Sequence, residues 1–268
     1  MIISRQSTQS PWFRVFRPRP QATARLVCLP HAGGAASFFS DWSHHLPDAI
    51  ELVAIQYPGR QERLGEPMIS RMSDLIAALV HVMPIILDRP YVLFGHSMGA
   101  AVAHELCLAL AQKQMQLPER LIVSAREAPQ HNQAGTLHSA SDPVFCERLL
   151  ALGITPPQLL QSEEWRQLML PVIRNDYQLI ETYLPSSLNA TLPIPLSAFA
   201  GNKDSELTIE QAADWSSMTS GSFQLRVFEG GHFYLCDHRA AVIAEAIQSL
   251  RSLAPLNSSR TADWPSTP

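Results

Sequence analysis

The sequence predicts an α/β architecture, a mostly parallel central sheet with helices on both faces, and three observations predict it. Six short apolar runs, at residues 25–30, 52–57, 91–95, 120–125, 194–201 and 223–229, are mostly apolar at consecutive rather than alternate positions. Strands covered by helices on both faces read this way. These runs alternate with longer segments of helical periodicity, the order that builds parallel sheets. The chain of 268 residues, 46% hydrophobic and 16% charged, is long enough to bury one substantial core without disulfide staples.

The helical segments follow in order. Met72, Leu75, Ile76, Leu79, Val80 and Met83 form one apolar stripe between the second and third runs. A second helix opens just after Ser97 and runs through Val102, Leu106 and Leu110. A third begins at Thr208, where Gln211 completes a capping box, and a last one covers roughly residues 238–253. Residues 129–192 break the alternation: they hold helical patterns at 142–152 and 162–183 but no convincing strand. Helices inserted there are placed to form a lid, because ligands of such sheets bind outside the strands' carboxyl ends. The expected organisation is an extended or disordered segment 1–24, one domain over 25–253 with a helical insertion at about 129–192, and a disordered tail 254–268 rich in Pro, Ser and Thr.

Composition excludes several classes. Twenty basic against 24 acidic side chains, a net charge of −4, disfavour a protein that wraps nucleic acid. Cys28, Cys107, Cys146 and Cys236 are scattered in apolar surroundings and read as buried thiols of a reducing compartment. No H-E-x-x-H motif marks a zinc peptidase, and no metal is expected. The amino end lacks the apolar stretch of a signal peptide, and no run of about 18 apolar residues could cross a bilayer. A cytoplasmic protein with no membrane partner is expected.

The strongest chemical signal is Gly95-His96-Ser97-Met98-Gly99, a G-x-S-x-G between a strand and a helix. A sharp turn there lifts a serine hydroxyl clear of the sheet, and the glycines let strand and helix approach closely. A serine hydroxyl needs a base, and the base an orienting carboxylate, in the order Ser, Asp, His. Asp204 follows the run 194–201, and His232 follows the next run in a Gly-Gly turn. Ser97, His232 and Asp204 are therefore the candidate nucleophile, base and acid. His238 falls where a helix should start, and Asp176 and Asp214 lie inside helical patterns as solvated charges. The developing oxyanion needs backbone donors, and the amides of Met98 and of Ala32 in the turn Pro30-His31-Ala32-Gly33-Gly34 are the candidates. His31 and His96 flank them as braces. The absence of G-x-x-x-x-G-K-[ST] disfavours a nucleotide site.

At these residues the sequence resembles the stand-alone type II thioesterases of non-ribosomal peptide and polyketide synthases, members of the α/β-hydrolase superfamily. The matching segments are Leu29-Pro30-His31-Ala32-Gly33-Gly34, Tyr57-Pro58-Gly59-Arg60 with Glu62-Arg63, the elbow from Phe94 to Ala100, Asn175-Asp176-Tyr177 with Glu181-Thr182-Tyr183, Gly201-Asn202-Lys203-Asp204 and Gly230-Gly231-His232-Phe233. The resemblance implies an α/β-hydrolase fold and hydrolysis of stalled or aberrant acyl groups from the 4'-phosphopantetheine arm of carrier domains, by a monomer that needs no cofactor of its own. Carrier domains of these systems tend to be acidic, so Arg60, Arg63 and Arg71 are candidate docking cations. A general carboxylesterase or lipase, and a chain-releasing thioesterase, share the same triad and stay open at this point.

Overall fold

The computed structural model describes residues 10–153 and 155–251. Seven strands form one sheet: β1 (Phe13–Arg14), β2 (Ala24–Leu29), β3 (Ile50–Ile55), β4 (Tyr91–His96), β5 (Arg120–Ser124), β6 (Leu196–Gly201) and β7 (Phe223–Phe228). Their order is β1-β3-β2-β4-β5-β6-β7, and every pairing is parallel except β1 with β3. The fold class expected from the sequence is borne out. β2, β3, β4 and β6 are buried along their whole length, which is why they read as continuous apolar runs.

Alternate side chains feed two cores. Val27 and Leu29 of β2 face a layer built with α1 (Met72–Val82) and α2 (Met98–Gln112). Leu26 and Cys28 face the opposite layer, with Phe39, Trp42 and the carboxyl-terminal helices α7 (Tyr234–Asp237), α8 (Arg239–Ala246) and α9 (Gln248–Arg251). The continuous last helix expected over 238–253 is thus divided, because His238 and Ile247 leave helical backbone geometry. The helix at Thr208 is the short α6 (Ile209–Ala213), and both bonds of its capping box form, Gln211 N to Thr208 Oγ1 at 3.2 Å and Thr208 N to Gln211 Oε1 at 3.0 Å.

Between β5 and β6 the chain forms α3 (Asp142–Ala151), α4 (Pro157–Gln161) and α5 (Glu163–Glu181). α5 is started by Ser162, whose hydroxyl accepts the Trp165 amide. Phe145, Leu149, Leu160, Leu170 and Ile173 give these helices a small core of their own.

Two expectations need correction. The amino-terminal segment is docked from residue 10 onward: Phe13 is buried opposite Ile55, and the Arg19 guanidinium donates to the carbonyls of Ser43, Leu46, Pro47 and Ile50. A two-residue strand is too short to show alternation in the sequence. Cys28 and Cys107 are buried, but Cys146 and Cys236 are only half-buried, on α3 and α7. Residues 1–9 and the tail 254–268 lie outside the described residues. Among the described residues no helix is long and apolar enough to cross a membrane.

Candidate active site

Ser97 stands between β4 and α2 with φ +55° and ψ −119°, a conformation that side chains other than glycine rarely adopt. The turn is enforced by packing. A Cβ on Gly95 would come within 2.1 Å of the Gly99 carbonyl oxygen, and one on Gly99 within 2.3 Å of that of Leu29. Only glycine fits at either position, so strand and helix close tightly and the serine side chain is forced outward. The Ser97 amide donates to Ser124 O of the adjoining strand at 2.7 Å, which fixes the elbow to the sheet.

The three residues singled out from the sequence meet at the carboxyl ends of β4, β6 and β7. His232 Nε2 lies 3.0 Å from Ser97 Oγ, and His232 Nδ1 lies 2.9 Å from Asp204 Oδ2 and 3.1 Å from Oδ1. The tautomer that satisfies both contacts carries its proton on Nδ1, donating to the carboxylate, and accepts the serine hydroxyl at Nε2. The Asp204 side chain is wholly buried and that of His232 nearly so. The loops that carry acid and base are joined: Lys203 N donates to Gly230 O at 2.8 Å, and Gly230 N donates to Asn202 Oδ1 at 3.0 Å.

The loop after β2 faces the serine from the other side. The Gly34 amide donates to His31 O at 2.9 Å and the Gly33 amide to Asp176 Oδ2 at 2.7 Å, so both are engaged elsewhere. Ala32 and Met98 line the cavity beside Ser97. Met98 opens α2, so no carbonyl one turn back can take its N–H. Both expected donor residues thus stand on the cavity wall that holds Ser97, one in the loop after β2 and one at the helix start.

His31 packs edge-on against Phe38 and Phe233; burial first, then the charges of His232 and Arg60, push its pKa down to about 3. His96 is wholly buried behind the site, and its ionisation is opposed by burial and by the two neighbouring histidines. Its Nδ1 lies 2.8 Å from Ser124 Oγ, which in turn lies 2.6 Å from Tyr234 Oη. Both histidines are held neutral, as braces require.

Asp176 departs most from expectation. It is almost wholly buried, and its carboxylate receives Arg60 Nη1 and Nη2 at 2.6 and 2.8 Å together with the Gly33 amide. The ion pair ties α5 to the loop after β3 and to the loop after β2. Arg60 is therefore internal, not a docking cation. Arg63 is buried too, paired with Glu66 and lying over the Trp12 ring. Of the three candidates only Arg71 is exposed. Asp214 sits on the surface at the end of α6, 2.6 Å from His131 Nε2, and His238 precedes α8 without a side-chain capping bond.

The serine opens on a cavity of about 570 Å³ roofed by α3 and α5. One part of its wall is apolar, from Leu149, Leu152, Trp165, Met169 and Ile173; another is polar, from Arg126, Glu127, Gln133, Arg148 and Glu206. Sequence reasoning passed over Glu206, although it lies two residues beyond Asp204 in the same turn, with Oε2 3.7 Å from His232 Nε2.

Comparison with known proteins shows the family and the fold. The model of the family "Thioesterase domain" matches residues 24–250. Thioesterase PikA5 of Streptomyces venezuelae is 40% identical over 227 residues, 84% of this chain and 80% of that protein. The gramicidin S biosynthesis protein GrsT of Aneurinibacillus migulanus is 32% identical over 93% of this chain and 98% of its own length. Among solved structures, the type II thioesterase BorB from the borrelidin biosynthetic cluster superposes with a TM-score of 0.83 at 38% identity, covering 92% of this chain and all of that one. YbtT, the type II thioesterase of the yersiniabactin pathway, does so at 0.81 and 29% identity, over 90% and 98%. The resemblance noted in the sequence is borne out: the chain belongs to the thioesterase domain family of hydrolytic enzymes with the α/β-hydrolase fold.

Proposed function

We propose that the protein is a serine thioesterase of the type II, editing kind, which hydrolyses aberrant or stalled acyl groups from the phosphopantetheine arm of carrier domains in a peptide or polyketide synthase. The observation that carries this reading is the hydrogen-bonded chain from Ser97 Oγ through His232 to the buried Asp204 carboxylate, set on the wall of a cavity of about 570 Å³. The borrelidin and yersiniabactin proteins support the carrier-bound substrate.

In the first step Ser97 Oγ attacks the thioester carbonyl carbon while His232 Nε2 takes its proton. Negative charge then collects on the carbonyl oxygen, where the amides of Ala32 and Met98 each contribute on the order of a hundredfold or more. The tetrahedral intermediate collapses as His232 returns the proton to the departing pantetheine sulfur, leaving an ester on Ser97. Water, deprotonated by the same histidine, cleaves that ester and frees the acid. Asp204 stabilises the imidazolium in both halves and holds its tautomer throughout. No metal or cofactor of the protein's own enters these steps; the pantetheine arrives with the substrate, and a monomer suffices.

The test loads a phosphopantetheinylated carrier domain with acetyl and longer acyl groups and follows their release by intact-protein mass spectrometry. Wild type should release them faster than it cleaves matched small thioesters or oxyesters, and Ser97→Ala should form no acyl-enzyme. Preference for free oxyesters would make the protein a general esterase; cyclised or transferred products would make it a chain-releasing enzyme.

A further inference from the structure

The polar part of the cavity wall has no role in the reaction above, yet one of its residues stands beside the reacting atoms. The Glu206 amide donates to Asp204 Oδ1 at 2.9 Å, so the turn that fixes the acid also fixes Glu206. Its two carboxylate oxygens face different partners. Oε1 takes the guanidinium of Arg148 from α3. Oε2 lies 3.7 Å from His232 Nε2, the same atom that meets Ser97 Oγ at 3.0 Å. No donor among the described residues hydrogen-bonds to Oε2. Glu206 lines the same cavity as Tyr177, Met169 and Ile173 of α5. Glu206 thus offers a carboxylate oxygen without a hydrogen-bond donor among the described residues, beside the same His232 nitrogen that meets the serine oxygen and on the wall of the same cavity.

An acyl group carried on Ser97 extends from the oxygen that shares His232 Nε2 with Glu206 Oε2. An α-nitrogen is three bonds from Oγ, about 3–4 Å by standard bond lengths. Resting on the reading of Ser97 as the acyl acceptor, we propose that Glu206 makes the site selective for α-aminoacyl thioesters, its Oε2 accepting a hydrogen bond from the substrate's α-ammonium group. Arg148 holds the other oxygen and so keeps Oε2 turned toward the substrate. A charge-assisted bond of this kind shifts selectivity roughly ten- to a hundredfold. The same carboxylate repels acyl groups that carry a carboxylate on the α-carbon.

The experiment measures kcat/KM for three N-acetylcysteamine thioesters: L-alanyl, its isostere isobutyryl, in which methyl replaces ammonium, and the larger methylmalonyl, in which a carboxylate takes that place. Wild type is compared with Glu206→Gln, which keeps the shape and removes the charge. The alanyl-to-isobutyryl ratio should fall about tenfold or more in the variant, and the methylmalonyl-to-isobutyryl ratio should rise. Using the ratio of ratios removes the greater intrinsic reactivity of aminoacyl thioesters. Glu206→Asp, with the carboxylate withdrawn by one methylene, should fall between the two. Equal ratios in wild type and both variants overturn the proposal, as would a residue that merely braces Arg148 and therefore slows all three substrates alike. An enzyme that cleaves these small thioesters but no carrier-bound acyl group would lose the carrier reading, while the ratio would still decide the role of Glu206.

Discussion

The sheet side of the site and its helical roof are held by different means. Ser97, Asp204 and His232 all leave carboxyl ends of parallel strands, and the positions that set them are glycines packed against backbone. A Cβ on Gly201 would lie 2.5 Å from the carbonyl oxygens of both Gly230 and Gly231, too close for any side chain, as at the elbow. The roof is secured by side chains. Asp176 clamps Arg60, Glu181 accepts the amides of Leu137 and His138, and the Tyr183 hydroxyl donates to the buried Glu105 carboxylate at 2.5 Å. Its outer surface leaves Val144, Leu150, Leu159 and Leu168 exposed. Backbone geometry thus fixes the reacting atoms, and side-chain ties fix the walls around them. Substitutions on the two sides should fail in different ways, on the sheet side in chemistry and in the roof in stability.

The largest effect should come from the sheet side without loss of fold. Asp204→Asn keeps the shape of the acid but favours the wrong tautomer of His232, and should lower kcat by about 10⁴. Thermal unfolding should stay close to wild type, because Glu206 N and His232 still find polar partners in the amide. A variant that unfolds early, or one that turns over normally, would break the comparison, the second by reassigning the acid.

The roof should show the reverse. Asp176→Ala leaves the Arg60 guanidinium buried without its counter-charge, which costs about 3–5 kcal/mol. Urea unfolding should register that loss. Replacing both partners, Arg60→Met with Asp176→Leu, should recover much of it, since well-packed apolar residues often equal a buried ion pair. A double variant as unstable as the single one would mean that the Gly33 bond, not the ion pair, carries the tie.

The same contrast explains what the sequence discloses. Backbone requirements leave local marks: Gly95 and Gly99 around Ser97, and Gly230-Gly231 before His232, are adjacent to the residues they position, so motif and site coincide. Buried strands disclose themselves for the same local reason. Side-chain ties span the chain and leave no such mark. Arg60 and Asp176 are 116 positions apart, and each taken alone is an ordinary charge on a loop or helix. Glu206 is close to Asp204 in sequence, but a second carboxylate in a turn has many uses, and only the approach to His232 Nε2 distinguishes this one.

The smallest effect sharpens the comparison through pH. His104 lies on α2, the helix that Ser97 precedes, with both ring nitrogens buried and without hydrogen-bond partners among the described residues, and its ring 5.1 Å from that of Trp215. Burial pushes its pKa down to about 4, against 6.5 for the free side chain, with the Glu105 charge opposing that shift. Above pH 6.5 the residue is neutral in both folded and unfolded chains and contributes no pH dependence. Between 6.5 and about 4 the unfolded chain takes a proton that the folded chain refuses, so stability falls with pH, by about 1.4 kcal/mol per unit at most. Below about 4 both states are protonated and the contribution stops growing. His104→Leu should therefore flatten the stability curve between pH 6.5 and 4 while leaving its course above pH 7 unchanged, as read by urea unfolding at a series of pH values. Retention of the full slope would move the acid sensitivity to another buried group, with His31 the next to substitute, since it too is held neutral by burial on the sheet side of the site.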